Sequence, residues 1–511
     1  MTGWTADTDL VEGIQDALAD DVEAFEAAVE RELDVLREEI RTGTFDNPQA
    51  IVGMEQELYG VDSETTHLRR LPRRLLEYLG CTKELGLHQA ELNTSPQPLN
   101  AWGLRAQEQE LRARLVAAQQ ATRWNGIDLV SDALWTIPPE GETAREYLDE
   151  SVEAEGIRVS TNMSESLRYH AMSNVQGDYR PRMELSASHV SFQSDTVIPE
   201  SLICSVQPHY QAPAADDLPV YFGYALRVAG PLLALGVNSP FFPPDLYDDG
   251  ATAEDVLADA HMENRIGVFE STLNPVDGDD KVRFPREIRT LEEALERIAA
   301  DTTVVPFTDL GGSRFDDEWA HFRHKHGTYW RWVRPVFDGA TRKAANARVE
   351  FRPISAQPTV RDGMAFLATF AGLMESLPRH EHPVEMLTWE TARDNFYAAA
   401  RDGLRADVAW ITVDGEETTD PDRIYAELFQ YAREGLEKRG IDPGEAAEYL
   451  RPLEVRVERG ITPARWKHRA VRERVDDGAD LDEAITGAQR EYVRRQADTL
   501  VDGDFTDWLA D

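Results

Sequence analysis

Cysteine and lysine are scarce in this sequence, and each scarcity excludes a class of protein. Only Cys81 and Cys204 occur among 511 residues, so a disulfide framework is not expected and a reducing cytoplasm fits. The chain has six lysines, 47 arginines and a formal net charge of −41. Without a basic stripe to displace counterions from phosphates, we expect no nucleic-acid partner. Acidic excess with little lysine is typical of a halophilic protein. At 1 M salt the Debye length falls to about 3 Å, so the repulsion among the many acidic side chains is screened.

Long apolar runs are also missing. The longest, Tyr224–Val237, contains Arg227 and Pro231 and is too short to span a bilayer. Residues 1–21 are acidic and have no apolar core, so they do not resemble a signal peptide. We therefore expect a soluble, cytoplasmic protein with no membrane partner.

Three familiar catalytic motifs are absent from the sequence. There is no GxxxxGK[ST] loop to cradle phosphates, no zinc-type cluster of cysteine and histidine and no GxSxG nucleophile elbow. A nucleotide bound to this chain would therefore be held largely by metal ions and arginine side chains.

Hydrophobic periodicity divides the chain into three parts. Residues 8–43 repeat apolar positions at helical spacing, which predicts an N-terminal helical arm, 1–45, that either packs on the body or is exposed. A catalytic domain, 46–400, mixes strands and helices without a steady β-α-β alternation, which favours an α+β fold, and its stretch 243–287 is expected to be loop-rich. A helical C-terminal extension, 401–511, is predicted to pack on the catalytic domain.

Two glutamates in the segment IVGMEQELYGVD give the clearest local signal. Glu55 and Glu57 are two residues apart among apolar neighbours. Since alternate residues of a strand share a face, both carboxylates are expected on one side of a sheet, with Gln56 on the other.

Other strand-like or apolar segments also carry charged or polar residues that suit a metal–nucleotide site. They supply Glu84, Glu91, Gln207, His209, Arg265, Glu350 and Arg352. Several inward carboxylates on one sheet would be unfavourable without a cation among them, and Mg²⁺ takes oxygen ligands with phosphate oxygens completing its shell. The pattern predicts a nucleotide substrate, with Arg352 binding its γ-phosphate.

Five segments in order resemble the glutamate–cysteine ligase superfamily, second type, which includes carboxylate–amine ligases and plant-like glutamate–cysteine ligases. They are MEQEL, AELNTSPQPL, SLICSVQPHYQ, LLALGVNSPFF and ARVEFRPISAQPT, within residues 50–400. The resemblance implies a glutamine synthetase-like α+β fold, with an antiparallel saddle sheet backed by helices and a helical C-terminal part. It also implies ATP and Mg²⁺ as cofactors, with Mn²⁺ as an alternative metal.

The resemblance assigns roles to individual residues. The implied metal ligands are Glu55, Glu57, Glu84, Glu91, His209 and Glu350. Catalysis falls to Arg352 and Glu57, ATP binding to Arg352, Glu350 and Arg265, and substrate binding to Arg182 and Gln207. Structural interpretations stay open for Glu84 as a surface acid, His209 as a core histidine and Arg352 as the partner of a neighbouring acid.

The implied activity is ATP-dependent amide formation through an acyl phosphate, from the γ-carboxylate of glutamate and the amine of cysteine. Asn264–Arg265 stands where many relatives have Ser–Arg, and His209 lies in QPHYQ rather than HVH, so a different amine or carboxylate stays open. A non-catalytic nucleotide-binding relative, whose arm and tail serve regulation or assembly, is a further alternative. The expected partners are small-molecule substrates, with a homodimer as one assembly.

Overall fold

The computed structural model of the chain describes residues 7–175, 177 and 179–509. Residues 1–6 of the predicted arm and 510–511 of the predicted extension lie outside the described residues. The strands are β1 (Ile51–Asp62), β2 (Thr82–Lys83), β3 (Gln89–Asn93), β4 (Gln97–Pro98), β5 (Ile127–Val130), β6 (Ser151–Ala154), β7 (Ile157–Ser160), β8 (Glu184–Ala187), β9 (Val190–Gln193), β10 (Val206–Gln211), β11 (Val333–Asp338), β12 (Asn346–Phe351), β13 (Trp410–Ile411) and β14 (Glu417–Thr418).

One antiparallel sheet organises the fold. Its strands follow the order β11-β12-β10-β1-β3-β2, and β4 and β5 also pair with β1. The long β1 therefore lies at the centre, with β10 on one side and β3 on the other. The pairs β6–β7, β8–β9 and β13–β14 form separate two-stranded sheets.

Helices surround this sheet. They are α1 (Thr8–Ala19), α2 (Val22–Arg41), α3 (Arg73–Tyr78), α4 (Ala101–Arg123), α5 (Ala144–Asp149), α6 (Leu167–Asn174), α7 (Leu218–Gly236), α8 (Ala253–Asp259), α9 (Asn264–Leu273), α10 (Leu291–Ala299), α11 (Ala320–His326), α12 (Val360–Ser376), α13 (Trp389–Asp402), α14 (Pro421–Lys438), α15 (Pro443–Arg459), α16 (Pro463–Asp476) and α17 (Leu481–Thr499). α12 packs on β1 and β10, and α7 packs on β11 and β12. The C-terminal helices α14 and α15 pack in turn on α12.

The apolar helix α7 belongs to the core. With the preceding turn it forms Ala215–Gly236, which is long and apolar enough to cross a membrane, yet 78% of its most apolar window is buried inside the protein. Pro231 lies within the helix, and this proline is buried.

The structure adds detail to two expectations and contains one helix that the periodicity did not indicate. The arm contains two helices, because Asp21 caps α2 by accepting from the backbone N–H groups of Glu23 and Ala24. It packs on the body, where Glu26 binds Lys325. The stretch 243–287 holds α8 and α9 as well as loops, and the C-terminal part contains α16, which the periodicity did not reveal.

Candidate active site

Polar side chains from five adjacent strands share one face of the sheet. On β1, Glu55 pairs with Gln207 of β10, and Glu57 pairs with Glu91 of β3. Farther along the sheet, Glu350 of β12 pairs with both His209 and Arg334. The opposite face is the core: Gln56 is fully buried there and donates from Nε2 to Ser131 Oγ at 3.1 Å. The predicted alternation along β1 is therefore confirmed.

Above this face lies a cavity of about 220 Å³. Five glutamates and three arginines line it. The wall includes Glu55, Glu57, Glu84, Glu91, Glu200, Gln207, Arg168, Tyr169, Trp330, Arg334 and Arg352. Its acidic end lies on β1 and β3, and its basic end on β11 and β12. Such a charge separation can bind a substrate that carries both a cation and a phosphate or carboxylate.

Burial and mutual repulsion perturb the carboxyls at the acidic end. Burial, followed by the charges of Glu55 and Glu57, raises the pKa of Glu91 to about 8. Burial raises the pKa of Glu84 well above its ordinary value, with Glu91 adding to the effect. Burial, followed by the charge of Glu57, raises the pKa of Glu200 to about 8. This end therefore holds more negative charge than the protein compensates.

Glu57 is held by donors from β10 and the segment before it. Ser205 donates from its backbone N–H to Oε2 at 2.6 Å and from its hydroxyl to Oε1 at 2.8 Å. Gln207 Nε2 donates to Oε1 at 3.0 Å. These bonds fix the carboxylate beside the unrelieved acids.

Two arginines clamp Glu350 at the basic end. Arg352 Nη1 lies 2.6 Å and Arg334 Nε 2.9 Å from Glu350 Oε1. Burial alone would raise the pKa of Glu350, but Arg334 and Arg352 outweigh it and hold that pKa well below its ordinary value. Arg352 Nη1 also donates to Gln207 Oε1 at 2.7 Å, while its Nε has no hydrogen-bond partner among the described residues. Arg352 also lines the cavity, so its guanidinium can approach a bound anion.

His209 connects the two ends. Its Nε2 lies 3.3 Å from Glu55 Oε1, and its Nδ1 accepts from Arg348 Nε at 3.1 Å. Since an arginine Nε can only donate, that hydrogen bond assigns the ring proton to Nε2, but Nε2 makes no hydrogen bond to Glu55 or to any other described residue. In this arrangement His209 lies beside Glu55 with a buried, unpaired N–H and has no lone pair free for a metal.

The predicted six-residue metal site is not assembled in this arrangement of side chains. Among the residues that the structure describes, no group of three or more histidine, cysteine, aspartate or glutamate side chains is arranged to hold a metal ion. Ser205 and Gln207 donate hydrogen bonds to the carboxylate oxygens of Glu57. Arg334 and Arg352 form ion pairs with Glu350. The metal-binding role of Glu55, Glu57, Glu84, Glu91, His209 and Glu350 stays a prediction.

The acidic end nevertheless suits a hard divalent cation. It offers only carboxylate oxygens, which Mg²⁺ prefers, and the raised pKa of Glu91 marks a charge excess that a cation would relieve. Glu55, Glu57, Glu84 and Glu91 are the residues that fit such an ion. Glu350 fits it poorly because Arg334 and Arg352 already neutralise its charge.

Two predicted site arginines lie outside the cavity. Arg182 bonds the carbonyl of Pro275 at 3.1 Å and Asp280 at 3.0 Å. Arg265 is buried behind the sheet face, where it donates to the backbone carbonyls of Pro353 and Arg352 at 3.2 and 2.8 Å. Arg265 therefore supports the backbone that carries Arg352 instead of lining the cavity.

Sequence reasoning missed several residues of the wall. Arg334 reaches Glu350 only through the pairing of β11 with β12, which no local pattern in the sequence indicates. Glu200 lies in the 3₁₀ turn Ile198–Leu202, which has no periodic signal. Arg168 and Tyr169 come from α6, a short helix that reaches the cavity only in the folded chain.

A second cavity of about 340 Å³ adjoins the first and shares Glu55 with it. Its wall combines apolar and polar groups, namely Ile51, Val52, Met54, Asn93, Thr94, Pro96, His209, Gln211, Asp338, Ala340, Ala344, Asn346 and Arg348. Cavities of this size and mixed lining accommodate small organic ligands. Glu55 therefore lies between two binding spaces.

Comparison with known proteins supports this description. The model of the family described as "Glutamate-cysteine ligase family 2" matches residues 51–499. The crystal structure of glutamate–cysteine ligase from Francisella tularensis in complex with AMP is similar, with a TM-score of 0.50 and 13% identity over 89% of this chain and 91% of that chain. This likeness confirms the predicted α+β fold with an antiparallel saddle sheet backed by helices.

Other similarities are weaker. A bifunctional glutathione synthetase from Pasteurella multocida has a TM-score of 0.49 and 13% identity, and the match covers 91% of this chain and 55% of that chain. The ligase PafA in complex with the ubiquitin-like protein Pup has a TM-score of 0.40 and 12% identity, over 86% and 71% of the two chains. No curated protein matches the sequence.

Proposed function

Because this chain belongs to glutamate-cysteine ligase family 2, we propose that it is an ATP- and Mg²⁺-dependent ligase that joins a carboxylate to an amine. The preferred substrates are glutamate, through its γ-carboxylate, and the amine of cysteine. The observation that carries the proposal is the pair of cavities that meet at Glu55, one mixed in polarity and one bounded by acids and arginines.

The two cavities suit the two kinds of substrate. ATP would place its base against apolar residues such as Ile51, Met54 and Pro96 of the larger cavity. Its phosphates would then extend past Glu55 towards the acidic end of the smaller cavity. The carboxylate substrate, which accepts the phosphoryl group, would lie at the basic end, near Arg334 and Arg352.

When bound, Mg²⁺ supplies positive charge to the β- and γ-phosphate oxygens. Glu55, Glu57, Glu84 and Glu91 would hold it. The protein's own contribution is positioning: Ser205 and Gln207 fix Glu57, and Glu350 fixes Arg352.

The reaction takes two displacements. A carboxylate oxygen attacks the γ-phosphorus, the bond to the bridging oxygen breaks and ADP leaves; Arg352 stabilises the charge on the transferring phosphoryl group. The neutral amine then attacks the acyl carbon, the bond from that carbon to the phosphate oxygen breaks, and the departing phosphate takes up the proton that the nitrogen loses. That phosphate carries away the oxygen that came from the carboxylate.

The test is phosphate release by the purified chain with Mg-ATP, glutamate and cysteine at molar salt. We expect release only when all three are present, and loss of turnover in Glu57→Gln. The matched control is Glu64→Gln, an exposed glutamate just beyond β1, which should turn over as the unmodified chain does. Equal phosphate release by Glu57→Gln and the unmodified chain would contradict the proposal.

A second candidate keeps the chemistry and changes the amine. Apolar side chains also line the smaller cavity, namely Leu85, Met172, Phe269, Leu273 and Trp330. They favour an amine substrate with a larger apolar group than that of cysteine. A panel of amines in the same assay separates the two candidates. Turnover with cysteine alone would eliminate the second one.

A further inference from the structure

Glu200 lines the smaller cavity, and its side chain has no hydrogen bond or ion pair with another residue that the structure describes. The other four glutamates of the wall each have a polar neighbour: Glu55 lies beside His209, Glu57 accepts from Ser205 and Gln207, and Glu84 and Glu91 bond each other. Burial, followed by the charge of Glu57, opposes the ionised form of Glu200 and raises its pKa. A carboxylate in this place is unfavourable unless a ligand brings a positive charge to it.

The backbone that carries Glu200 is held firmly. Glu200 belongs to the 3₁₀ turn Ile198–Leu202, and the next residue, Ser201, is fully buried. The carbonyl of Ser201 accepts from His88 Nε2 at 2.8 Å and from Trp135 Nε1 at 3.2 Å, and its hydroxyl donates to the carbonyl of Ile198 at 2.7 Å. The turn therefore brings the carboxylate to the cavity from a fixed backbone, as a group that positions a substrate requires.

The charges near Glu200 place it between the two ends of the cavity. Its pKa responds to the charge of Glu57 and, in the opposite direction, to those of Arg352 and Arg265. Glu91 responds instead to Glu55 and Glu57. Glu200 therefore lies on the side of Glu57 that faces the arginines. In the proposed reaction the acyl phosphate forms at this junction, where phosphates from the acidic end meet the carboxylate substrate at the basic end.

Helix α9 makes the surroundings of Glu200 apolar. It packs against the turn Ile198–Leu202, and its Phe269 and Leu273 line the same cavity, as does Trp330. A metal ion gains nothing from carbon atoms, because hard cations take oxygen ligands. An organic ammonium group uses both features, since its charge meets the carboxylate and its carbon skeleton meets the apolar wall. The ligand class that fits beside Glu200 is therefore a primary amine in its cationic form.

We propose that Glu200 binds the ammonium group of the amine substrate and selects cationic amines over uncharged ones. This assignment rests on the ligase function proposed above. It divides the work of the cavity: the other four glutamates serve the metal ion, Arg334 and Arg352 serve the carboxylate substrate, and Glu200 serves the nitrogen. An amine held at Glu200 lies beside the junction where its nitrogen must reach the acyl carbon.

Comparison of a cationic with an uncharged nucleophile tests the assignment. Hydroxylamine is uncharged at neutral pH and converts an acyl phosphate to a hydroxamate without needing a carboxylate partner. We would measure kcat/KM for cysteine and for hydroxylamine with Mg-ATP and glutamate at molar salt. In Glu200→Gln the ratio of the two should fall at least about 30-fold, the scale on which the loss of one partner of a buried charge pair is felt. The KM for cysteine should rise, with little change in the KM for ATP.

Glu270→Gln is the matched control. Glu270 is also a partly buried glutamate with a raised pKa, but it accepts from Trp332 Nε1 at 2.8 Å and Tyr397 Oη at 2.7 Å and is not among the residues that line the cavity. Its ratio should equal that of the unmodified chain.

Three results for Glu200→Gln would overturn the assignment and leave the ligase function standing: an unchanged ratio, an equal loss of both reactions, or a raised Mg²⁺ requirement without a change in the ratio. The last of these would make Glu200 a metal ligand. Absence of hydroxamate from the unmodified chain would overturn the ligase function itself, and this assignment with it.

Discussion

Glu57 on β1 and Glu91 on β3 are direct cross-strand partners, so two carboxylates face each other on the same side of the sheet. Like charges placed opposite each other destabilise an antiparallel pair, and the raised pKa of Glu91 reflects burial reinforced by the charges of Glu55 and Glu57. The fold keeps this unfavourable pair in a cavity. Perturbed acids grouped in this way are typical of a functional site.

Replacing Glu91 separates its effect on the free energy of unfolding from its effect on turnover. Glu91→Gln removes a carboxyl whose ionised form is opposed by burial and by the charges of Glu55 and Glu57, so we expect the metal-free chain to gain about 1 kcal/mol of unfolding free energy. Turnover should fall at least about 100-fold, the scale on which a missing charged contact to the transition state is felt. Thermal unfolding in a chelator and phosphate release measure the two effects. A destabilised variant with full turnover would show that Glu91 is structural.

Metal binding should appear as stabilisation. An ion that binds only the folded chain adds about 2.7 kcal/mol at 100 times its Kd. We expect Mg²⁺ with a non-hydrolysable ATP analogue to raise the unfolding temperature of the unmodified chain and of Glu64→Gln. Glu57→Gln should lose most of this rise. Equal rises in all three chains would place the metal elsewhere.

Arg352 should be sensitive even to conservative change. Its Nη1 binds Glu350 and Gln207 together, so a lysine ammonium that made these two bonds would have no second nitrogen for a phosphoryl group. We expect Arg352→Lys to lower kcat about 100- to 1,000-fold with little change in the KM for the amine. Arg182→Lys is the comparison, because Arg182 pairs with Asp280 outside the cavity. A larger loss in Arg182→Lys would support the substrate role that the sequence predicts for Arg182.

His88 should make the fold sensitive to acid. Burial lowers its pKa to about 3, and it bonds Tyr147 Oη and the carbonyl of Ser201 at 2.9 and 2.8 Å. Below about pH 6.5 the unfolded chain binds a proton that the folded chain excludes, so stability falls as the pH drops, by about 1.4 kcal/mol per pH unit for this group. His88→Gln should flatten the slope between pH 4 and 6, unlike His380→Gln at an exposed site. An unchanged slope would contradict this.

Alternation along a single strand was enough to predict which side chains of β1 share a face. Glu55 and Glu57 were assigned to one face because a strand has a period of two residues. Their neighbours depend on register, which no local pattern encodes, so the pairing of Glu57 with Glu91 and the clamp of Arg334 on Glu350 emerge only in the sheet. Glu200 could not be predicted for a related reason: it lies in a 3₁₀ turn, which leaves no periodic pattern in the sequence.

The helix errors have local causes. Asp21 was a readable N-cap that divides the arm into α1 and α2. Thr462 and Pro463 were equally readable as the start of α16. The contacts of Arg265 with two backbone carbonyls could not be predicted from the residue type, and its role in ATP binding stays a prediction.

Oxygen transfer tests the central claim most directly. With glutamate labelled with ¹⁸O in its γ-carboxylate, Mg-ATP and cysteine, formation of an acyl phosphate transfers one labelled oxygen to each inorganic phosphate released. Mass spectrometry of that phosphate should show one ¹⁸O per amide bond formed. Amide formation with unlabelled phosphate would contradict a ligase that activates its carboxylate by phosphorylation.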